Sequence, residues 1–308
     1  MKRFRSLVLT VIVILSIISM SAMAYAEEYV VKVSSPSGAP GLALVTLAVQ
    51  APENYTYLTA ETITAEFSNG TADFIIAPLN AGAKLYKMGK SNYKLAAVVG
   101  WGNLFIASQR ENFTLDDING AEITMFGEKT INSSITKFVL AENGIKPANI
   151  EYLAGASNTQ KLLLSDAESI VLTAEPALTA ARTKNDRITA YSVNELYKAA
   201  TGHDGFTQAG LFVKAETIEN HPDVVEDYLE KVKESCGKCV SDIPAVAEAA
   251  AAMEILPNKK VAMSAIPNCT IRYMSALDAR EQIEITANID LKQFGGAVPA
   301  DDFYYGAK

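Results

Sequence analysis

The chain has 308 residues, 49% of them apolar and 20% charged, with a formal net charge of −8. That supplies enough apolar sequence for one large domain or two lobes with their own cores. The acidic balance argues against nucleic acid and anionic membrane as partners, and no repeat period or low-complexity tract stands out.

The first 26 residues have the pattern of a leader. Lys2, Arg3 and Arg5 make a basic start, Leu7 to Met20 is an apolar stretch, and Ala24-Tyr25-Ala26 offers small-x-small cleavage after Ala24 or Ala26. A spanning helix would need about 20 apolar residues. Glu27 stands where a lipoprotein would carry cysteine, and no later stretch is long and apolar enough to span. The mature protein is therefore expected to be exported, periplasmic or secreted, and soluble. Losing three leader cations leaves 24 Lys and Arg against 35 acidic residues, a net charge of about −11 with side chains ionised at neutral pH.

A first strand is predicted at Tyr29 to Val33, then a loop through Ser37-Gly38-Ala39, with Pro40 at the first position of a helix. Tyr55 to Leu58 is a second strand, and a helix from Thr62 to Phe67 closes on Asn69-Gly70. The stretch 72–108 then reads as strand, tight turn at Pro78-Leu79-Asn80, short helix, and a strand that breaks at Gly100-Trp101-Gly102-Asn103 and resumes to Ala107. In open α/β sheets ligands bind at the carboxyl ends of strands, where both turns fall.

After Phe113 to Gly120 a second α/β unit is predicted over 109–207. It has strands at Ala121 to Phe126, Ile150 to Leu153 and Ile170 to Thr173. Helices are expected from about Ser133 to Asn143, from Thr159 to Leu164 after a Ser157/Gln160 capping box, and from Pro176. Gly210 to Lys214 resembles Leu104 to Ala107, so one lobe (27–108 and 208–308) is built from both ends of the chain around an inserted lobe. Helices follow at 222–235, 243–254 and 277–287. Paired aromatics in the tail, Phe303-Tyr304-Tyr305, are expected to pack on the body.

Catalytic signatures are lacking. No Gly-x-Ser-x-Gly, His-Glu-x-x-His, phosphate loop or dinucleotide fingerprint is present. His203 lies in a turn and His221 precedes Pro222 at a helix start. Cys236-Gly-Lys-Cys239 has redox or metal spacing, but Cys269 is the only further thiol, and a local disulfide or idle thiols is the expectation. No cofactor, metal or enzymatic reaction is expected.

Binding is better supplied. Helix starts at Gly38-Ala39-Pro40, Leu79-Asn80, Thr130 with Ser133 and Ser134, and Glu175-Pro176 are expected to face one cleft with their free N–H groups. Trp101, flanked by glycines, reads as a flat ring in the cleft wall, with a core anchor as the alternative. Glu175 would select an N–H donor if it faces the cleft, and otherwise simply welcomes its helix dipole. With Lys129 the only cation in these loops, a zwitterion, an amine-bearing heterocycle or a neutral polar molecule is favoured over a strong anion.

Taken together, Pro36-Ser37-Gly38-Ala39-Pro40, Ala72-Asp73-Phe74-Ile75-Ile76-Ala77-Pro78-Leu79-Asn80 and Gly100-Trp101-Gly102-Asn103-Leu104 resemble the substrate-binding proteins of ATP-binding-cassette importers. So do Leu115-Asp116-Asp117, Glu175-Pro176 and the Gly295-Gly296 to Tyr305 tail. The likeness is to the nitrate/sulfonate/taurine-type group, whose relatives include thiamine-precursor binders. It implies a two-lobed venus-flytrap fold of the type II periplasmic-binding class, each lobe a mixed sheet flanked by helices. It also implies a monomeric receptor that hands a small-molecule ligand to a membrane permease with a cytoplasmic ATPase. Ligand contacts would come from Ser37, Gly38, Ala39, Leu79, Asn80, Trp101, Gly102, Asn103, Thr130, Ser133, Ser134 and Glu175. The loop 127–130 is less glycine-rich than the group's usual pattern. The alternatives are a subunit that presents ligand to a membrane sensor, or an enzyme on the same scaffold related to thiamine-precursor synthesis.

Overall fold

Two sheets, each built from apolar runs too short and too well punctuated for helices, organise the chain. The structure, a computed structural model, describes residues 29–59 and 62–307. The leader and both of its cleavage positions lie outside those residues. The first sheet has six strands: β1 (Val33–Pro36), β2 (Tyr55–Leu58), β3 (Phe74–Pro78), β4 (Tyr93–Gly100), β10 (Ala209–Lys214) and β11 (Ile271–Ser275). Their order is β11-β4-β10-β3-β1-β2. β1 pairs in parallel with β2 and β3, and β10 runs antiparallel between β3 and β4. The second sheet contains β5 (Leu104–Ser108), β6 (Glu122–Phe126), β7 (Asn149–Leu153), β8 (Ile170–Ala174) and β9 (Thr189–Ser192), in the order β7-β6-β8-β5-β9.

The strand at 104–108 thus belongs to the second lobe, pairing antiparallel with β8 and β9. The sequence reading had kept it in the first lobe with a boundary after 108. The first crossing is instead the short segment Trp101–Asn103, and the return crossing is 202–208, ahead of β10. The first strand also sits three to four residues later than expected. Ser34 and Ser35 are buried in it, which its polar composition disguised.

Helix boundaries mostly follow local chemistry. Gly70 and Gly202 end their helices in the left-handed conformation. Asp242 caps Ile243–Ala252 through the Ala245 N–H. The expected Ser157 cap is not formed: Ala156–Ser165 starts one turn earlier, with Gly155 at the cap and its carbonyl accepting from Asn158 and Thr159. The strand β9 and the helix Val193–Thr201 (capped by Ser192) were not among the expected elements, although Val193, Leu196 and Tyr197 bury one helical face at a spacing of three and four.

One contiguous apolar cluster runs through both lobes. It joins Tyr93, Leu95, Phe212 and Phe294 on the first to Ile106, Met125, Ile135 and Leu172 on the second by way of Trp101, Tyr197 and Phe206. The tail packs into it as expected: Phe303 and Tyr304 are buried, and the Tyr305 N–H donates to Leu95 O at 2.8 Å. Cys236 and Cys239 lie on the buried face of Pro222–Ser241. They are free thiols, as is Cys269. Burial pushes the Cys239 thiol up to about 12 and raises those of Cys236 and Cys269 as well, so all three are inert at neutral pH.

The two crossings are in direct contact. Beside them, from the helix Val193–Thr201 that precedes the return crossing, the Asn194 side-chain amide donates to Trp101 O at 2.9 Å and Gly102 O at 3.0 Å. A Cβ at Gly205 would run into the Trp101 carbonyl oxygen, whereas one at Gly202 would meet nothing. Both glycines have positive φ, 88° and 80°. Gly202→Ala should therefore cost only the backbone term, about 1 kcal/mol. Gly205→Ala should add an overpacking cost and lose about 2–4 kcal/mol in total. Urea unfolding of the two variants checks this; equal losses would show that the crossings are not held in this contact.

Candidate functional site

The carboxyl ends of the parallel strands β1, β2 and β3 lead into Ser37–Gly38, Thr59 and Leu79–Asn80, and those of the parallel strands β6 and β8 lead into the loop 127–130 and Glu175, the strand ends at which ligands bind in such units. Nearest the crossings the lobes touch. The Gln208 backbone accepts from the Leu79 N–H at 3.0 Å, while its side chain donates to Asn132 Oδ1 at 3.1 Å. On one flank Asn268 Nδ2 reaches Glu175 Oε1 at 3.5 Å, and on another the Ser134 hydroxyl donates to Asp290 at 2.6 Å. Away from the crossings, between the edge strand β2 and the segment after edge strand β7, a cavity of about 670 Å³ opens. Ser37, Gly38, Tyr57, Leu58, Thr59 and Thr62 line it from the first lobe and Ser157 from the second.

This lining is neutral and rich in hydroxyls. Gly38 has φ 86°, and the space a Cβ would fill there is open, so the backbone itself is presented to the cavity. The Thr59 and Thr62 hydroxyls bond each other at 3.1 Å. The volume falls within the roughly 300–1,000 Å³ typical of small-molecule sites.

The expected contacts divide on inspection. Ser37 and Gly38 line the cavity, whereas Ala39 and Leu79 are core residues. Asn80 does not cap its helix: it is 8% exposed and its Oδ1 has no partner. Trp101 departs most from expectation. Its side chain is fully buried, its indole N–H donates to Arg272 O at 3.0 Å, and the Arg272 guanidinium lies 4.1 Å from the ring centre. It is an anchor of the crossings rather than an open cleft wall. Of the flanking glycines, Gly102 leaves room for Phe206 and Asn194, and Gly100 for Ala209.

Asn103 extends the β5–β8 ladder, accepting from the Glu175 N–H and donating its amide to Glu175 O. Thr130 sits at the cap position of Ile131–Glu142, but its hydroxyl turns back to Gly127 O at 2.8 Å. The buried Ser133 hydroxyl pairs with Tyr152 at 2.9 Å. Sequence reasoning did not single out Tyr57, Leu58, Thr59, Thr62, Ser157 as a lining residue, or Gln208. Only their position at strand ends and crossings could have marked them.

Glu175, at 3% exposure, already has its acceptors engaged. Its carboxylate takes the Thr179 N–H at 3.1 Å and the Thr179 hydroxyl at 2.9 Å, besides Asn268. It holds its own helix turn, so its expected preference for an amine ligand lacks a free oxygen. Among the described residues, no group of His, Cys, Asp and Glu could hold a metal ion.

No family model matches the chain and no curated protein sequence matches it. Solved structures do match. An ABC transporter structure from Parabacteroides distasonis aligns at TM-score 0.76 and 21% identity, over 91% of this chain and 99% of that one. The ligand-binding component of an ABC-type import system from Staphylococcus aureus, solved with zinc bound, aligns at 0.68 and 13%, over 91% and 99%. The periplasmic aliphatic sulphonate binding protein of Escherichia coli aligns at 0.68 and 14%, over 90% and 92%. At these identities the likeness is one of fold: the chain has the two-lobed periplasmic-binding-protein architecture of ABC substrate-binding proteins.

Burial raises the Glu175 pKa above its ordinary 4.5 more than its hydrogen bonds to Thr179, the nearby Arg182 and Asn268 lower it. A carboxyl so shifted contributes stability that is fully present below about pH 4.5 and is lost as pH rises through its folded value. Glu175→Gln removes that loss. Melting temperatures of both proteins from about pH 4 to pH 8 should show the variant gaining on the parent as pH rises. Parallel curves would contradict this environment for Glu175.

Proposed function

We propose that the mature chain is an exported solute-binding protein that traps a small polar organic molecule between its lobes and delivers it, as a monomer, to an ABC permease with a cytoplasmic ATPase. The observation that carries this reading is the cavity shared by Ser37 and Gly38 on one lobe and Ser157 on the other. A ligand seated there touches both lobes only when they are together, so binding shifts the population toward the closed form.

The neutral, hydroxyl-rich lining suits a neutral or zwitterionic ligand better than a strong anion. Ser37, Gly38, Thr59, Thr62 and Ser157 are its nearest contacts. Asn80 supplies a buried, unpartnered acceptor at the end of β3, and the start of the helix Ile131–Glu142 supplies dipole and N–H groups from the facing lobe. The lining offers hydroxyls with no His, Asp, Glu or Lys among them to activate one, which favours a binder over an enzyme. Two of the structural neighbours named above are components of ABC systems, one of them of an importer, which supports import as the destination.

A thermal-shift screen of amino acids, amine-bearing heterocycles, sulfonates and nitrate tests the proposal. A true ligand at a hundredfold excess over its Kd should stabilise the protein by about 2.7 kcal/mol. The effect should vanish in Ser157→Phe, which fills the cavity from an exposed position. A panel that leaves the parent unmoved, or a ligand that stabilises the variant equally, would contradict it.

A further inference from the structure

A second cavity, of about 330 Å³, shares no residue with the inter-lobe one. It is lined by Val240, Ile243, Ile266, Pro267 and Ile271, with Cys239, Thr270 and Arg272 completing the wall. Its volume is at the lower end of the range for small-molecule sites. Its wall is almost wholly apolar apart from one cation.

That cation is unusual in its surroundings. Arg272 is partly buried, its Nε is buried with no acceptor, and no carboxylate forms an ion pair with it among the described residues. One guanidinium N–H₂ group donates to the Asp204 backbone carbonyl at 2.9 Å. The nearby Asp204 carboxylate is taken by Lys198 at 2.7 Å. Burial lowers the Arg272 pKa more than Asp204 raises it, which is the sign of a charge short of a counterion. A half-buried guanidinium is a planar fork suited to a carboxylate, and here it stands at the edge of an apolar hollow.

We infer that this cavity is a second binding site, taking a small carboxylate with an apolar body: the carboxylate on Arg272, the body among Ile243, Ile266, Pro267 and Ile271. The site adjoins the crossings between the lobes, since Arg272 stacks on Trp101 and Thr270 O accepts the Trp101 N–H at 3.2 Å. Trp101 is the only tryptophan, so its emission reads the site directly.

Benzoate and hexanoate, with benzylamine and hexylamine as controls of like shape and opposite charge, are titrated against the full-length mature protein. The two carboxylates should change Trp101 emission saturably, with half-saturation near about 1 mM for molecules of this size, and the amines should not. Val240→Glu places a carboxylate at the rim from a residue 77% exposed, so the fold is spared. It should weaken the carboxylates about tenfold or more by repulsion and competition for Arg272. Ser157→Phe should leave the titration unchanged, which separates this site from the inter-lobe cavity. Three outcomes would each overturn the inference: no saturable response, amines acting as well as carboxylates, or loss of the response in Ser157→Phe.

Discussion

The contact between the two chain crossings is the constraint on which the rest of the molecule depends. Trp101–Asn103 leaves the first sheet and 202–208 returns to it, and the two segments share one small volume. Asn194 binds two carbonyls of the first crossing, while Gly205 lets the Trp101 carbonyl approach and Gly102 makes room for Phe206. Because Phe206 and Trp101 also belong to the apolar cluster that joins the lobes, the crossings are fixed at one end of the interface. The outer ends, at β2 and β7, are left with a cavity between them. Bending about this packed pivot is the motion that the proposed closure requires.

Much of this architecture was legible in the sequence. Short apolar runs separated by Gly and Pro marked most strands; the two crossings were inferred from the likeness of Leu104–Ala107 to Gly210–Lys214, although the first of these strands belongs to the second sheet. The lobe boundary was placed too late because an apolar run carries no information about its pairing partner. Only the antiparallel register of β5 with β8, from Leu104 opposite Ala174 to Ser108 opposite Ile170, assigns it to the second sheet. Likewise β1 was misplaced because Ser34 and Ser35 are buried polar residues in a strand of the first sheet.

The site was less legible, for a different reason. Ser37 and Gly38 could be read because a strand end followed by Gly and Pro at a helix start is a local pattern. Trp101 could not, since its environment is set by Arg272, 171 positions later, and by Phe206. A tryptophan between glycines looks like an exposed ring, yet here each glycine yields space to a distant neighbour. Glu175 misled similarly: at a helix start it looked available, and its oxygens are instead engaged by Thr179 four residues on.

The central claim is that ligand draws the lobes together about this pivot. All three native cysteines are buried, so spin labels can be directed to cysteines introduced at the exposed Glu53 and Glu151, one on each lobe. The inter-label distance distribution, measured by pulsed electron spin resonance with and without a ligand from the thermal-shift screen, tests the claim most directly. The account predicts a broad or two-peaked distribution that collapses to its short component when ligand is added. A single narrow distance, unchanged by a ligand that stabilises the protein, would contradict it.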